Sequence, residues 1–152
     1  MRTAQFINIF LFALVAGVLW GTWFSLSRSI ASITPEAFLE TGRTMIRNLA
    51  RPMRILMPAS MLSALAVVFL LFRRGPTGAF YLALTGLMLF IGVLLVTLLV
   101  NVPIDNRIKR WTPQNLPSDW TGIRDRWQFF HTVRSFASLT GFGCALASGL
   151  FF

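Results

Sequence analysis

The stretch FYLALTGLMLFIGVLLVTLLVNVPIDNRIKRW, residues 80–111, decides the fold of this chain. Its first part, residues 80–100, carries no charged side chain and is long enough to cross a bilayer core, which needs about 20 mostly apolar residues. The apolar residues are continuous and do not alternate with polar ones, which excludes a strand of a membrane β-barrel. Residues 80–100 therefore predict a transmembrane helix that ends at a polar, Pro-containing segment.

Three more apolar runs of similar length lie at about residues 6–26, 55–72 and 136–152. The chain has 152 residues, of which 55% are hydrophobic and only 12% are charged. A soluble domain of this size needs more polar surface, and four spans leave no room for a second domain. The sequence predicts an all-α fold, a four-helix transmembrane bundle that forms a single integral membrane domain over residues 1–152.

The loop between the first two predicted spans carries a helix of its own. Thr34 can cap this helix, and Pro35 suits its first position. Arg43, Arg47 and Arg51 recur every four residues and form a basic face. A separate apolar stripe consists of Phe38, Met45, Leu49 and Met53. A helix with these two faces is typical of a membrane surface, so we expect it to lie at the interface with its arginines bound to anionic lipid headgroups.

The charge pattern also favours lipid over nucleic acid as the partner. The net charge is +9, and the basic residues cluster next to the predicted spans. Their excess in the two long loops favours a cytoplasmic position for those loops, although the short turn RRGPTG, residues 73–78, is basic as well. The sequence has no zinc-type cluster, phosphate-binding loop or paired carboxylates, and no internal repeat that would indicate a transporter.

Small residues predict how the helices pack. They recur every four residues in the first span (Ala13, Gly17, Gly21, Ser25) and in the last (Ala137, Gly141, Ala145, Gly149). Such residues let membrane helices approach closely, so we expect these two faces to pack against each other. The alternative use of such a face is a homodimer or another membrane partner.

Candidate metal ligands are few. Met53, Met57 and Met61 recur every four residues, and thioethers can bind Cu(I). A methionine stripe is more often adaptable packing, and no second set of soft ligands accompanies this one. Cys144 is the only cysteine and lies within the last predicted span. We therefore predict no metal site.

Polar residues that carry chemistry concentrate between residues 101 and 134. Asn101 lies where the third span ends, and Pro103 interrupts the regular backbone hydrogen bonding that follows it. Asp105, Asn106 and Trp111 come next. A second helix is predicted to begin near Trp120 and to lead into the fourth span.

One face of this second helix is polar. Arg124, Trp127, His131 and Arg134 are three or four residues apart and therefore share that face. Charged groups that face lipid are costly, so the face should point inward and form a pocket at one bilayer interface. The alternative is that the arginines and tryptophans only anchor the helices among the headgroups.

Two of these segments, NVPIDNRIKRW (residues 101–111) and DWTGIRDRWQFFHTVRS (residues 119–135), resemble the anthrone oxygenase-like family. Its members are small four-helix membrane proteins with an Asn-Val-Pro-x-Asn segment after the third span; here Asp105 takes the place of the second Asn. The resemblance covers the whole architecture and implies the inner membrane of a bacterium. Many bacterial members have no assigned reaction.

Some members oxidise anthrones with O2 without a recognised metal or flavin, so the resemblance implies a cofactor-free monooxygenase. On this hypothesis His131 is the base, and Arg124 or Arg134 stabilises the oxyanion. The expected substrate-binding residues are Asn101, Asn106, Trp111, Trp120 and Trp127. The alternative is a non-enzymatic membrane subunit or lipid-binding module. A mostly apolar cavity beside His131 would distinguish the enzyme from a filled bundle.

Overall fold

The computed structural model describes residues 1–150, and every regular element in them is helical. The elements are α1 (Arg2–Thr22), which continues as a π-helical turn over Trp23–Ser27, α2 (Pro35–Phe72), α3 (Gly78–Val96), a second π-helical turn (Thr97–Asn101), α4 (Val102–Ile108) and α5 (Trp120–Leu150). Two predicted helix starts are confirmed. The Thr34 hydroxyl accepts a hydrogen bond from the Ala37 backbone N–H at 3.3 Å, and α5 begins at Trp120.

Three helical stretches are long and apolar enough to cross a membrane: Arg2–Ser27, Pro35–Phe72 and Gly78–Ile108. They contain the first three predicted spans and indicate an integral membrane protein. The fourth predicted span, residues 136–152, begins within α5, and its last two residues lie outside the described part. The described part of α5 is not among the three stretches.

The predicted surface helix is not a separate element. It forms the first half of α2, a single helix of 38 residues that runs on through the second predicted span. At 1.5 Å per residue α2 is about 57 Å long, against about 30 Å for the bilayer core. Its apolar stripe, which consists of Phe38, Met45, Leu49 and Met53, lines a cavity between the helices.

Close packing of α5 against α3 organises the core. A Cβ atom added to Gly141 would lie 2.8 Å from a ring carbon of Phe90, and one added to Gly86 would lie 3.1 Å from the Gly141 carbonyl oxygen. The Phe90 ring stacks in turn on Phe12 of α1, with their planes 10° apart. The two glycines therefore let α3 and α5 approach closely, while aromatic rings fill the space towards α1.

The predicted contact between the two small-residue faces is wrong for most of its length. Gly17 and Gly21 of α1 are exposed, and an added Cβ would meet nothing within 4 Å at either position. Only at the far end does the face of α5 approach α1, where a Cβ on Gly149 would lie 3.0 Å from Ile9 Cδ1. The larger residues of α1 supply the buried face, namely Phe12, Val15, Ala16 and Leu19.

The third span does not end where its apolar run ends. The helix continues as the π-helical turn Thr97–Asn101 and then as α4, up to Ile108. Pro103, near the start of α4, has no N–H, and its ring would crowd a carbonyl of the preceding turn. A wider turn relieves this conflict, so the chain stays helical. Single π-helical turns are frequent at functional sites, and this one precedes Asp105.

Candidate functional site

A cavity of about 650 Å³ lies between α1, α2, the α3–α4 stretch and α5. Most of its wall is aliphatic or thioether. The apolar lining includes Val18, Leu19, Leu26, Met45, Leu49, Met53, Met57, Leu94, Leu98 and Val102. Binding cavities for small molecules commonly have volumes of about 300–1,000 Å³ and a few polar groups in an apolar wall. The cavity therefore has the size and the lining of a site for an apolar molecule.

Polar side chains that line the cavity concentrate on one side, where α5 faces the π-helical turn and α4. We call Thr97, Asp105, Trp127, His131 and Arg134 the polar wall; all five line the cavity. Trp127 Nε1 donates a hydrogen bond to Asp105 Oδ1 at 2.8 Å, and the Trp127 ring stacks on His131 with centroids 4.9 Å apart. Arg134 donates from Nε to His131 Nδ1 at 3.1 Å and from a terminal nitrogen to the Thr97 hydroxyl at 3.2 Å. The wall is one connected network.

The contact with Arg134 determines the protonation of His131. An arginine nitrogen can only donate, so His131 Nδ1 must accept and carries no proton in this geometry. The imidazole is then neutral, with its proton on Nε2. Nε2 is buried and has no hydrogen-bond partner within residues 1–150, and the residue is only 1% exposed. His131 thus lines the cavity with an Nε2–H that no side chain or backbone group within residues 1–150 uses.

Two cations also line the cavity, near its exposed end. Lys109 directly follows α4, one turn after Asp105, and donates from Nζ to Asn106 Oδ1 at 3.0 Å. Arg54 approaches from α2, where its Nε donates to the Ala50 carbonyl at 3.2 Å. Both side chains belong to exposed residues. The polar surface of the cavity thus extends from the buried His131 to a cationic rim.

The structure brings together only some of the predicted site residues. Asn106, Trp127, His131 and Arg134 line the cavity; Asn101, Trp111, Trp120 and Arg124 do not. Asn101 is fully buried behind the wall, where its Nδ2 donates to the Trp127 carbonyl at 3.2 Å and ties α5 to the π-helical turn.

The other three residues make packing and ion-pair contacts outside the cavity. Trp111 is buried in a second apolar cluster against which Trp120 packs. Arg124 pairs with Asp125 at 2.8 Å, and its guanidinium lies over the Trp120 ring at 5.2 Å. These contacts stabilise the junction between α4, α5 and the start of α2.

Two members of the polar wall were missed by sequence reasoning. Asp105 was noted in the sequence but was given no role. Thr97 lies inside an apolar run, where a single hydroxyl does not indicate a functional site. They are eight residues apart, which would place them about 80° from each other around a regular α-helix. The π-helical turn between them brings both to the cavity. In the sequence, Pro103 was the one indication of an irregular helix at this point, although a proline does not specify a π-helical turn.

The remaining candidate ligands are dispersed. Within residues 1–150 no group of three His, Cys, Asp or Glu side chains could hold a metal ion. Met53 and Met57 line the cavity, whereas Met61 packs against the main apolar core. Among the predicted lipid-binding arginines, Arg47 and Arg51 are exposed and Arg43 is half-buried.

Comparison with known proteins identifies the family of this chain. The model of the anthrone oxygenase family matches residues 47–144, which is more than half of the chain and includes the whole polar wall. No curated protein and no solved structure matches the chain. With the match spanning most of α2, all of α3 and α4, and α5 as far as Cys144, this chain belongs to the anthrone oxygenase family.

Proposed function

We propose that this protein binds a flat, apolar polycyclic molecule in its cavity and oxidises it with O2, as an anthrone-type oxygenase that needs no cofactor. The observation that carries the proposal is the composition of the cavity: about 650 Å³ of mostly apolar space with one connected polar wall. An anthrone has the matching chemistry, because its fused rings are apolar and its reactive carbonyl and methylene groups lie on the central ring.

The reaction suits such a site. Loss of a proton from the methylene gives an anion that spreads over the rings and the carbonyl oxygen. This electron-rich anion reduces O2 and forms a hydroperoxide at the same carbon, which then loses water to give the quinone. One O2 is consumed for each anthrone, with one oxygen atom kept in the quinone and the other released as water. The protein must supply an apolar slot, a proton acceptor and a donor to the developing oxyanion.

Of the three tryptophans expected to bind the substrate, only Trp127 lines the cavity. One face of Trp127 is covered by His131, and its indole edge is bound to Asp105. Methionine and leucine side chains of α2 make up much of the opposite wall. Thioethers pack well against aromatic rings and adapt to their outline, which suits a polycyclic substrate.

The direct test is oxygen uptake by the purified protein in detergent, with unsubstituted anthrone as substrate. We expect uptake and quinone formation in equal amounts and above the spontaneous rate, in samples whose metal content is measured and found substoichiometric. An uptake rate equal to that of heat-denatured protein would overturn the proposal. It would favour the alternative, a non-enzymatic membrane subunit or lipid-binding module.

A bulky side chain placed in the cavity should weaken the binding of the quinone product. We expect Leu49→Trp to weaken binding of anthraquinone, the product, at least tenfold, because the indole would occupy space in the cavity. Leu62→Trp is the matched control, since Leu62 is 68% exposed on the same helix and does not line the cavity. Quenching of tryptophan fluorescence by the quinone, corrected for the added indole, measures both. Equal affinities in the two variants would mean that the quinone binds elsewhere.

Further proposals concern the membrane in which the protein lies and its partners there. We propose that the four long helices form a transmembrane bundle in the inner membrane of a bacterium, with Arg43, Arg47 and Arg51 close to anionic headgroups. The exposed small-residue face around Gly17 and Gly21 is available for a homodimer or another membrane partner. Crosslinking of a single cysteine introduced at Gly17, in a Cys144→Ser background, tests the homodimer.

A further inference from the structure

We infer that Asp105 is the proton acceptor of this site and that His131, the base expected from sequence, is instead the hydrogen-bond donor to the substrate carbonyl. The inference rests on the proposed function, because it assigns the groups that act on the anthrone. It concerns the proton-transfer step alone, which can be observed without O2.

His131 is poorly placed to take a proton. The only lone pair of the neutral imidazole that could take a proton is on Nδ1. That lone pair already accepts the hydrogen bond from Arg134 Nε at 3.1 Å. Protonation there would break this bond and place an imidazolium directly beside a guanidinium. The opposite nitrogen, Nε2, carries a proton and is buried without a partner within residues 1–150. The imidazole therefore has an unused proton to donate and no unoccupied lone pair with which to accept one.

Asp105 has the complementary properties. Its carboxylate lines the cavity, and the hydrogen bond from Trp127 Nε1 at 2.8 Å uses only one of its two oxygens. A carboxylate offers about four lone-pair sites, so acceptor capacity remains. The one salt bridge in residues 1–150 joins Arg124 to Asp125, which leaves the Asp105 carboxylate without an ion pair. Trp127 contacts both groups, Asp105 at its indole edge and His131 at its ring face, and so fixes their relative positions.

The chemistry needs two separate groups. The methylene and the carbonyl of an anthrone are at opposite positions of the central ring, so one side chain cannot serve both. Asp105 takes the methylene proton while His131 Nε2–H binds the oxygen that becomes negative. Asp105 then returns its proton to the peroxide anion formed with O2. As the O–O bond breaks, Asp105 removes the second hydrogen from the same carbon. The departing hydroxide takes this proton from Asp105 and leaves as water, which restores the carboxylate.

The test is anaerobic exchange of the anthrone methylene hydrogens with D2O, catalysed by the protein in detergent and followed by mass spectrometry. We expect the wild type to accelerate exchange and Asp105→Asn to reduce it to the uncatalysed rate. The Asn amide oxygen can still accept from Trp127, so the wall should keep its shape. Asp119→Asn is the control, since Asp119 is exposed and outside the cavity. Anthraquinone binding within about threefold of the wild type shows that each variant is folded.

The two roles of His131 are separated by a pair of variants. His131→Phe should slow exchange about a hundredfold, as expected for the loss of one oxyanion donor. His131→Gln keeps an N–H donor but no basic nitrogen, and should recover exchange to within about tenfold of the wild type. Were His131 the base, Gln would be as inactive as Phe.

Each result has a defined meaning. Wild-type exchange at the background rate, undiminished exchange in Asp105→Asn, or equal loss in Gln and Phe at position 131 would each overturn the inference. Exchange that depends on Asp105 but yields no quinone when O2 is admitted would support the assignment of the base. That outcome would refute only the oxygenase proposal.

Discussion

Replacing Arg134 with Met is expected to slow anthrone oxidation about a hundredfold, the usual scale for loss of a preorganised electrostatic contact. Arg134 is a positioning residue: its guanidinium holds His131 Nδ1 and the Thr97 hydroxyl at once. Without it, the imidazole can rotate or exchange its tautomer, and Nε2 then no longer presents a proton to the substrate. The decrease should appear in kcat, with the affinity for anthraquinone changed by less than about threefold, because Met fills similar apolar volume.

Two further variants test whether the charge or the geometry of Arg134 is responsible for the expected loss of rate. Arg134→Lys keeps the positive charge but lacks the rigid fork that spans two acceptors, so we expect an intermediate rate. Arg126→Met removes an exposed arginine from the same helix and should leave the rate unchanged. If the Lys variant matched the wild type, charge alone would be sufficient, and the argument from the His131 tautomer would fail.

Gly141→Ala is expected to destabilise the fold by about 1–3 kcal/mol, the range measured for overpacked cores. The added Cβ would lie 2.8 Å from the Phe90 ring and 3.3 Å from the Gly86 carbonyl oxygen. The ring cannot simply turn away, since it is stacked on Phe12, and the carbonyl belongs to the backbone of α3. The helices α3 and α5 must therefore separate by a few tenths of an ångström along their whole contact.

The control lies two residues away on the same helix. Gly143 is exposed, and a Cβ there would meet nothing within 4 Å. Gly143→Ala should stabilise α5 slightly, since Ala is better than Gly in a helix by up to about 1 kcal/mol. The free energy of unfolding in mixed micelles measures both variants. A Gly141→Ala protein as stable as Gly143→Ala would show that α3 and α5 do not approach at Gly86.

Local features of this fold are predictable because local chemistry determines them. Unbroken apolar runs place three spans, Thr34 and Pro35 mark the start of α2, and the helical spacing of Trp127, His131 and Arg134 places them on one face. All three residues line the cavity, as that face predicts. Each of these inferences uses residues within a few turns of one another.

Features that depend on a distant partner are not predictable in this way. The small-residue faces of α1 and α5 have the same spacing, yet only that of α5 packs closely, because Phe90 and Gly86 of α3 lie opposite it. The apolar stripe of α2 has the pattern of a surface helix. It lines a cavity, since the packing of the other helices leaves a space beside it. Periodicity shows which residues share a face but not what that face meets.

The π-helical turn at Thr97–Asn101 acts as a one-residue insertion in an otherwise α-helical stretch. An α-helix turns about 100° per residue, and the wider π-helical turn takes up one extra residue, so the helix after it keeps nearly the same orientation relative to the helix before it. Deleting Leu99, which is 72% exposed, would leave Thr97 and the residue now numbered Asp105 seven residues apart. In a regular α-helix that spacing places two side chains about 20° apart, so both should still face the cavity. Relatives that align with a one-residue gap between positions 97 and 101 should therefore present the residue aligned with Asp105 to their cavity.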